Sequence, residues 1–216
     1  MAGGGAAQRL MHAPLFARVY ERYWRPLFVS VAGGRRADFE AEMAWLFDQL
    51  RSAEGGMVLD HSCGPGVVAR RLAKSGRFAR VFALDHARAM LARCRDECAV
   101  ESVDELELVR ADALALPFAD ASLDAVHAGA ALHIWPEVDG ALLEIARVLR
   151  PGAVFVASTF EQAPRSRGWG RRALGPGGAK VFAPGELEQL CRRAGFEAYA
   201  ARRVGSMVWF RCERVV

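Results

Sequence analysis

Short apolar runs alternate with amphipathic stretches along most of this chain. Residues 57–60, 80–84, 106–109, 122–128 and 154–159 are largely apolar and flanked by Gly, Asp or Pro, which predicts strands. Residues 67–75, 87–99 and 138–149 repeat their apolar positions at three- and four-residue spacing, which predicts helices between those strands. Such alternation builds a parallel sheet with helices on both faces. The pattern then changes. Residues 184–194 read as a helix stopped by Gly195, while 197–203 and 207–212 read as an antiparallel hairpin turning at Gly205-Ser206. The expected fold is α/β: a doubly wound seven-stranded sheet, mostly parallel, with one antiparallel strand near the C-terminal edge.

Before the first strand, Leu15, Phe16, Val19, Tyr20, Tyr23 and Trp24 form an aromatic helical face. It packs on the domain edge, or it covers the site with Tyr20 or Tyr23 reaching in. Gly33-Gly34 breaks that pattern, Asp38 reads as an N-cap, and Phe39, Met43, Leu46, Phe47 and Leu50 form the stripe of a second helix. Residues 1–12 read as a flexible tail, and 13–216 as one domain without internal repeats. Within it, 13–52 supply N-terminal helices, 57–160 a ligand-binding core, 161–183 a lid loop and 184–216 the closing helix and hairpin. The lid assignment rests on a stretch rich in Gly, Arg and Pro with little periodicity.

Composition narrows the classes. No run approaches the roughly 18 apolar residues of a membrane span, so a soluble protein is expected, with peripheral membrane contact left open. Five Cys, an odd number without ribbon or knuckle spacing, favour a reducing compartment. Residues 161–216 hold 11 Lys and Arg against 5 Asp and Glu, whereas residues 1–160 hold 18 against 20. That basic quarter suits a solvated surface better than an anion site, and no basic motif with interleaved aromatics suggests a nucleic-acid partner.

The candidate chemistry gathers at Val58-Leu59-Asp60-His61-Ser62-Cys63-Gly64-Pro65-Gly66. A carboxylate ends a strand, small residues let a ligand approach the backbone, and a helix begins just beyond. Asp85 ends the next strand, and the carboxyl edge of such a sheet is where ligands bind. Gly64-Pro65-Gly66-Val67-Val68-Ala69 also fits the dinucleotide fingerprint G-x-G-x-x-A with an acidic residue about 20 positions on. Asp60 and Ala111-Asp112-Ala113 are not needed to hold a pyrophosphate, which ranks a dinucleotide-dependent oxidoreductase low.

Those pieces, together with Met90-Leu91, Leu116-Pro117-Phe118, Leu123-Asp124-Ala125-Val126 and Glu144-Ile145-Ala146-Arg147-Val148-Leu149-Arg150-Pro151-Gly152, resemble class I S-adenosylmethionine-dependent methyltransferases in order and spacing. The resemblance is strongest to the ubiquinone/menaquinone-type (methyltransferase type 11) branch. Within it, plant and algal chloroplast members share the Asp-x-Ser-Cys-Gly loop and Val126-His127-Ala128-Gly129-Ala130-Ala131-Leu132-His133. It implies a Rossmann-like fold, S-adenosyl-L-methionine as cofactor, and transfer to a small, lipophilic or phenolic acceptor. The implied cofactor residues are Asp60, Ser62, Cys63, Gly64, Gly66, Asp85, His86, Met90, Asp112, Ala113, Ala128 and Gly129. Asp60 would face the methionyl ammonium, Asp85 the ribose hydroxyls and Asp112 with the Ala113 amide the adenine, covered by Met90 and Leu114. Ser62 stands where most members have glycine, and its hydroxyl could meet the methionyl carboxylate. Pro65 removes one loop amide, and Ala153 replaces a usual second glycine.

Several side chains read two ways. His133 is a general base or a backbone-bonded structural histidine, in equal measure; His61 and His127 read as structural. Cys94 and Cys98 read as packing rather than a soft-metal site, so no metal is expected. Trp135 and Trp169 read as acceptor-pocket walls or as loop anchors. A non-catalytic methyltransferase-like scaffold is the rival from another class. The compartment reads as cytoplasmic or chloroplast.

Overall fold

The computed structural model describes residues 13–20, 23, 39–162, 180–204 and 207–216. Its strands are β1 (Met57–His61), β2 (Arg80–Asp85), β3 (Leu106–Arg110), β4 (Leu123–Ala128), β5 (Leu149–Phe160), β6 (Phe196–Val204) and β7 (Met207–Arg214). They form one seven-stranded sheet in the order β3-β2-β1-β4-β5-β7-β6. β1 to β5 are parallel neighbours, and β7 runs antiparallel to both β5 and β6. The architecture matches the expectation from hydrophobic pattern. The central strands β1, β2 and β4 are buried almost throughout because Val, Leu and Ala face helices on both sides. The edge strand β6 instead exposes Glu197, Arg202 and Arg203, charges that discourage further strand pairing.

The helices are α1 (Pro14–Val19), α2 (Phe39–Gln49), α3 (Val67–Lys74), α4 (Arg88–Glu101), α5 (Val138–Val148) and α6 (Glu186–Arg193). Met43 and Leu46 of α2, with Val68 and Leu72 of α3, pack on Val58, Val81, Ala125 and Val156. Leu142 and Ile145 of α5, with Leu187 and Leu190 of α6, pack on the opposite face against Leu59, Val126, Phe155 and Phe210. Each buried Leu or Val contributes roughly 1.5–3 kcal/mol by leaving water. Among the described residues no helix is long and apolar enough to cross a membrane.

The fifth strand differs from its expected start. Arg150-Pro151-Gly152 lies inside β5 instead of turning ahead of it. Leu149 already pairs with Leu123, and a bulge then shifts the register before Val154 pairs with Ala125. Gly152, at φ +76°, takes up the left-handed turn within that bulge. Residues 1–12, Trp24, Gly33-Gly34, Asp38, residues 163–179 with Trp169, and Gly205-Ser206 lie outside the described residues, with the tail, cap, lid and hairpin-turn assignments made on them.

Candidate functional site

The first strand delivers Asp60 to the carboxyl edge, 2% exposed. Parallel pairing sets Asp60 beside His127 of β4. The Asp60 Oδ1 and His127 Nδ1 atoms lie 2.7 Å apart. The chain then turns sharply at Ser62, whose φ of +58° falls in the left-handed region. For an L-residue that conformation costs roughly 1–2 kcal/mol, which explains a preference for glycine there. Two contacts hold the serine. Trp135 Nε1 donates to its Oγ at 3.0 Å, and His61 Nδ1 lies 3.0 Å from the same oxygen. The hydroxyl is thus engaged by the protein, and Trp135 anchors the loop instead of walling an acceptor pocket.

Beyond Ser62, the Cys63 amide donates to Leu84 O (2.9 Å) and the Gly64 amide to Asp85 Oδ2 (2.9 Å), tying the loop to β2. The other Asp85 oxygen accepts from the Ala87 amide at 2.7 Å. Gly66 starts α3 at φ +80°, and a Cβ there would stand 2.2 Å from Cys94 Sγ. Cys94 in turn packs with Ala69 and Ala83, and Cys63 and Cys98 border that cluster. The hydrogen bond with Cys94 and burial push the Cys63 thiol up, away from ionisation. Arg70, 2% exposed, reaches back from α3 to donate to the Pro65 carbonyl at 2.6 Å. Its charge is met by Glu101 at 3.2 Å, an ion pair more than an aligned hydrogen bond.

A second clamp fixes the loop after β3. Arg147 of α5 donates to the carbonyls of Leu116 (3.0 Å) and Phe118 (2.9 Å) while pairing with Glu144 and Asp120. Glu144 also accepts from the Leu116 amide at 2.9 Å. This loop carries Asp112, which is exposed and accepts from the Leu114 amide at 3.1 Å. His86 is exposed beside Asp85, and its carbonyl accepts from Arg110 Nε at 3.2 Å.

An open cleft lies over the ends of β1 and β4. Of the expected residues, Asp60, Ser62, Cys63, Gly64 and Gly129 line it. Asp85 ends β2 beside it, His86, Asp112 and Ala113 sit on the neighbouring loops, and Gly66 and Ala128 are buried. Met90 is 1% exposed, packed under Phe16 and Ala17 of α1. Tyr20, just after α1, does reach the cleft, while Tyr23 is exposed. His133 lies on a 3₁₀ turn, Leu132–Ile134, with its ring edge-on to Phe160 at 4.8 Å and outside the cleft lining. Burial lowers its pKa to about 4, as it does that of His61.

His127, Met207 and Trp209 of the cleft and the clamps Arg70 and Glu144–Arg147 were not singled out as site residues. For His127 a signal existed: two parallel strands that both end at the site set equivalent positions side by side. Glu144 and Arg147 stand three apart on one helix face, which forecasts their pairing but not the loop they hold.

The comparisons agree with this geometry. Residues 59–157 match the family model described as a methyltransferase domain. An uncharacterized chloroplastic methyltransferase of Arabidopsis thaliana is 42% identical over 164 residues, 74% of this chain and 46% of that protein. A ubiquinone/menaquinone biosynthesis C-methyltransferase of Brucella canis is 36% identical over 150 residues, 68% of this chain and 55% of its own. The chain thus spans about half the length of these curated relatives. In fold it is similar to a crystal structure of an S-adenosylmethionine-dependent methyltransferase from Aquifex aeolicus, with a TM-score of 0.72, 18% identity, and coverage of 94% of this chain and 99% of that one. With β-strand order, glycine loop and strand-end carboxylates all in place, the chain belongs to the class I S-adenosylmethionine-dependent methyltransferases, in the methyltransferase-domain family that residues 59–157 match.

Proposed function

We propose that this protein methylates a small, lipophilic or phenolic molecule with S-adenosylmethionine as donor. The observation that carries the reading is the Asp85 carboxylate locked against the Gly64 amide, above the buried Asp60. The residues fit the cofactor. At Gly64 (φ +56°) the nearest atom to a would-be Cβ is Tyr20 Cε1 at 4.0 Å, so the outer side of the loop has room for a ligand.

Bound cofactor would supply a methyl group already activated on a sulfonium. The chain's own part is to bind, orient and exclude water. Asp60 would oppose the methionyl ammonium. Asp85 would accept the ribose hydroxyls through its carboxylate. Asp112 and the Ala113 amide would meet the adenine, on a loop held by Arg147. The cleft walls at Val67, Val68, Met207 and Trp209 are apolar, which supports a lipophilic acceptor. Residence in a chloroplast belongs to the same reading, supported by the designation of the Arabidopsis relative, and a fluorescent fusion would locate the protein.

Calorimetric titration tests the proposal. Adenosylmethionine and adenosylhomocysteine should bind the wild-type protein in the micromolar range, roughly −8 kcal/mol. Asp85→Ala should lose about 100-fold in affinity, because two charge-assisted hydrogen bonds go with it. A nicotinamide dinucleotide should not bind. Well-folded protein that takes neither sulfur ligand would sink the enzyme reading and leave a scaffold on this fold.

A further inference from the structure

We propose that His127, oriented by Asp60, is the base that accepts the acceptor's proton, and that the acceptor therefore presents a weakly acidic O–H to the cleft. The inference rests on the methyl-transfer reading above and names a residue and a substrate class for that same site.

The geometry is that of a carboxylate–imidazole dyad. Asp60 and His127 are 2% and 4% exposed, and their facing atoms are 2.7 Å apart. A carboxylate only accepts, so Nδ1 donates the shared proton and Nε2 is the ring nitrogen left for the acceptor. Among the described residues no protein group hydrogen-bonds Nε2, and His127 lines the open cleft. Glycine at 129 leaves the ring its room, since a Cβ there would stand 2.9 Å from His127 Cε1 and 3.3 Å from Nε2. The other two candidate histidines are placed badly for this work. His133 is packed on Phe160 outside the cleft, and His61 is buried against Trp135. Walls of Met207, Trp209 and Val68 around an imidazole suit an apolar molecule with one hydroxyl, such as a phenol or enol.

The transfer balances. The acceptor's O–H bond breaks and its proton goes to Nε2, giving an imidazolium beside the Asp60 carboxylate. The oxygen's electron pair forms the O–CH₃ bond, and the C–S pair leaves with the sulfur of the donor. Water then takes the proton from the ring.

Carbethoxylation with diethyl pyrocarbonate, mapped by peptide mass, reads whether the ring can be reached from the cleft without needing the acceptor. On the full chain at about pH 7.5, His127 should be modified about 10-fold faster than His61 and His133, because it alone of the three lines the cleft. Saturating adenosylhomocysteine, checked by calorimetry, should slow it by less than about threefold, since the base must face the acceptor side. Asp60→Asn should slow it about fivefold by loosening the tautomer. His127→Gln should still bind adenosylhomocysteine within about threefold of wild type. Labelling of His127 no faster than of His61 and His133 overturns the proposal. So does labelling blocked by adenosylhomocysteine, which would make the ring a cofactor contact. Failure of adenosylhomocysteine to bind at all overturns the methyl-transfer reading itself, and the labelling of free protein separates that failure from the first.

Discussion

Ser62 holds a backbone angle that glycine would adopt without strain, and it does so with its hydroxyl pinned by Trp135 and His61. Ser62→Gly should relieve about 1 kcal/mol of strain and lose a hydrogen bond of about the same worth, so urea unfolding should move by less than about 1 kcal/mol. Trp135→Phe should then cost less in the Ser62→Gly background than in wild type, a coupling that a double-mutant cycle measures directly. Gly66 has no such compensation. Gly66→Ala meets both a φ of +80° and Cys94 Sγ, and should destabilise by roughly 2 kcal/mol or more. Adding Cys94→Ala should recover the steric share, and a double variant no more stable than Gly66→Ala would disprove the clash. At this scale the sequence was informative where a residue type is demanded by backbone or charge: Asp60, Gly64, Gly66 and Asp85. It was silent on Arg70, because an arginine on a helix looks solvated until a carbonyl of the same loop is seen to need it. The pairing of His127 with Asp60 was hidden for a related reason. A histidine inside a strand reads as core, and only the neighbouring strand supplies its carboxylate.

The elements explain why distant motifs recur together in this chain. Glu144 and Arg147, one turn apart on α5, fasten the segment after β3 through its own backbone, so the helix positions Asp112 without touching it. Lysine cannot reproduce that fork. Arg147→Lys should lower stability by about 1–2 kcal/mol and weaken adenosylhomocysteine binding several-fold, measured by unfolding and calorimetry. Unchanged affinity with reduced stability would mean that the loop holds Asp112 in place unaided. Asp124 performs a similar service for β1. Its carboxylate accepts from the Met57 amide at 2.7 Å and pairs with Arg150, and Gly56 is obligatory because a Cβ would lie 2.4 Å from that oxygen. Strand and helix periods were legible along the chain to within a residue or two. The early start of β5 was not, since Pro151-Gly152 signals a turn equally well inside a bulge and outside a strand.

The whole molecule is a sheet whose carboxyl edge is crowded with polar groups taken out of water, and this sets its response to acid. His61 at the end of β1 and His133 on the 3₁₀ turn are both buried, and burial holds each pKa near about 4, below the ordinary value of 6.5. In the unfolded chain both rings protonate below about pH 6.5, whereas in the folded protein they stay neutral until about pH 4. Between those limits the unfolded state binds more protons, so stability must fall as pH falls. The linkage amounts to roughly 2 kcal/mol per histidine by pH 5. Glu101 and Glu144, both held below the ordinary carboxylate range, act in the same direction but only at lower pH. Burial pushes Glu101 up, but Lys74 and Arg70 outweigh it, whereas Arg147 chiefly lowers Glu144. Denaturant midpoints should therefore stay nearly level from pH 8 to about pH 7 and decline from there to pH 5 in wild type. His133→Met keeps the apolar contact with Phe160 and removes one titrating ring, so it should shed about half of that slope. A wild-type midpoint that stays flat across this range would mean that the edge is wet enough to charge its histidines in the folded state, and the water exclusion that the proposed methyl transfer needs would then have to come from the bound ligands themselves.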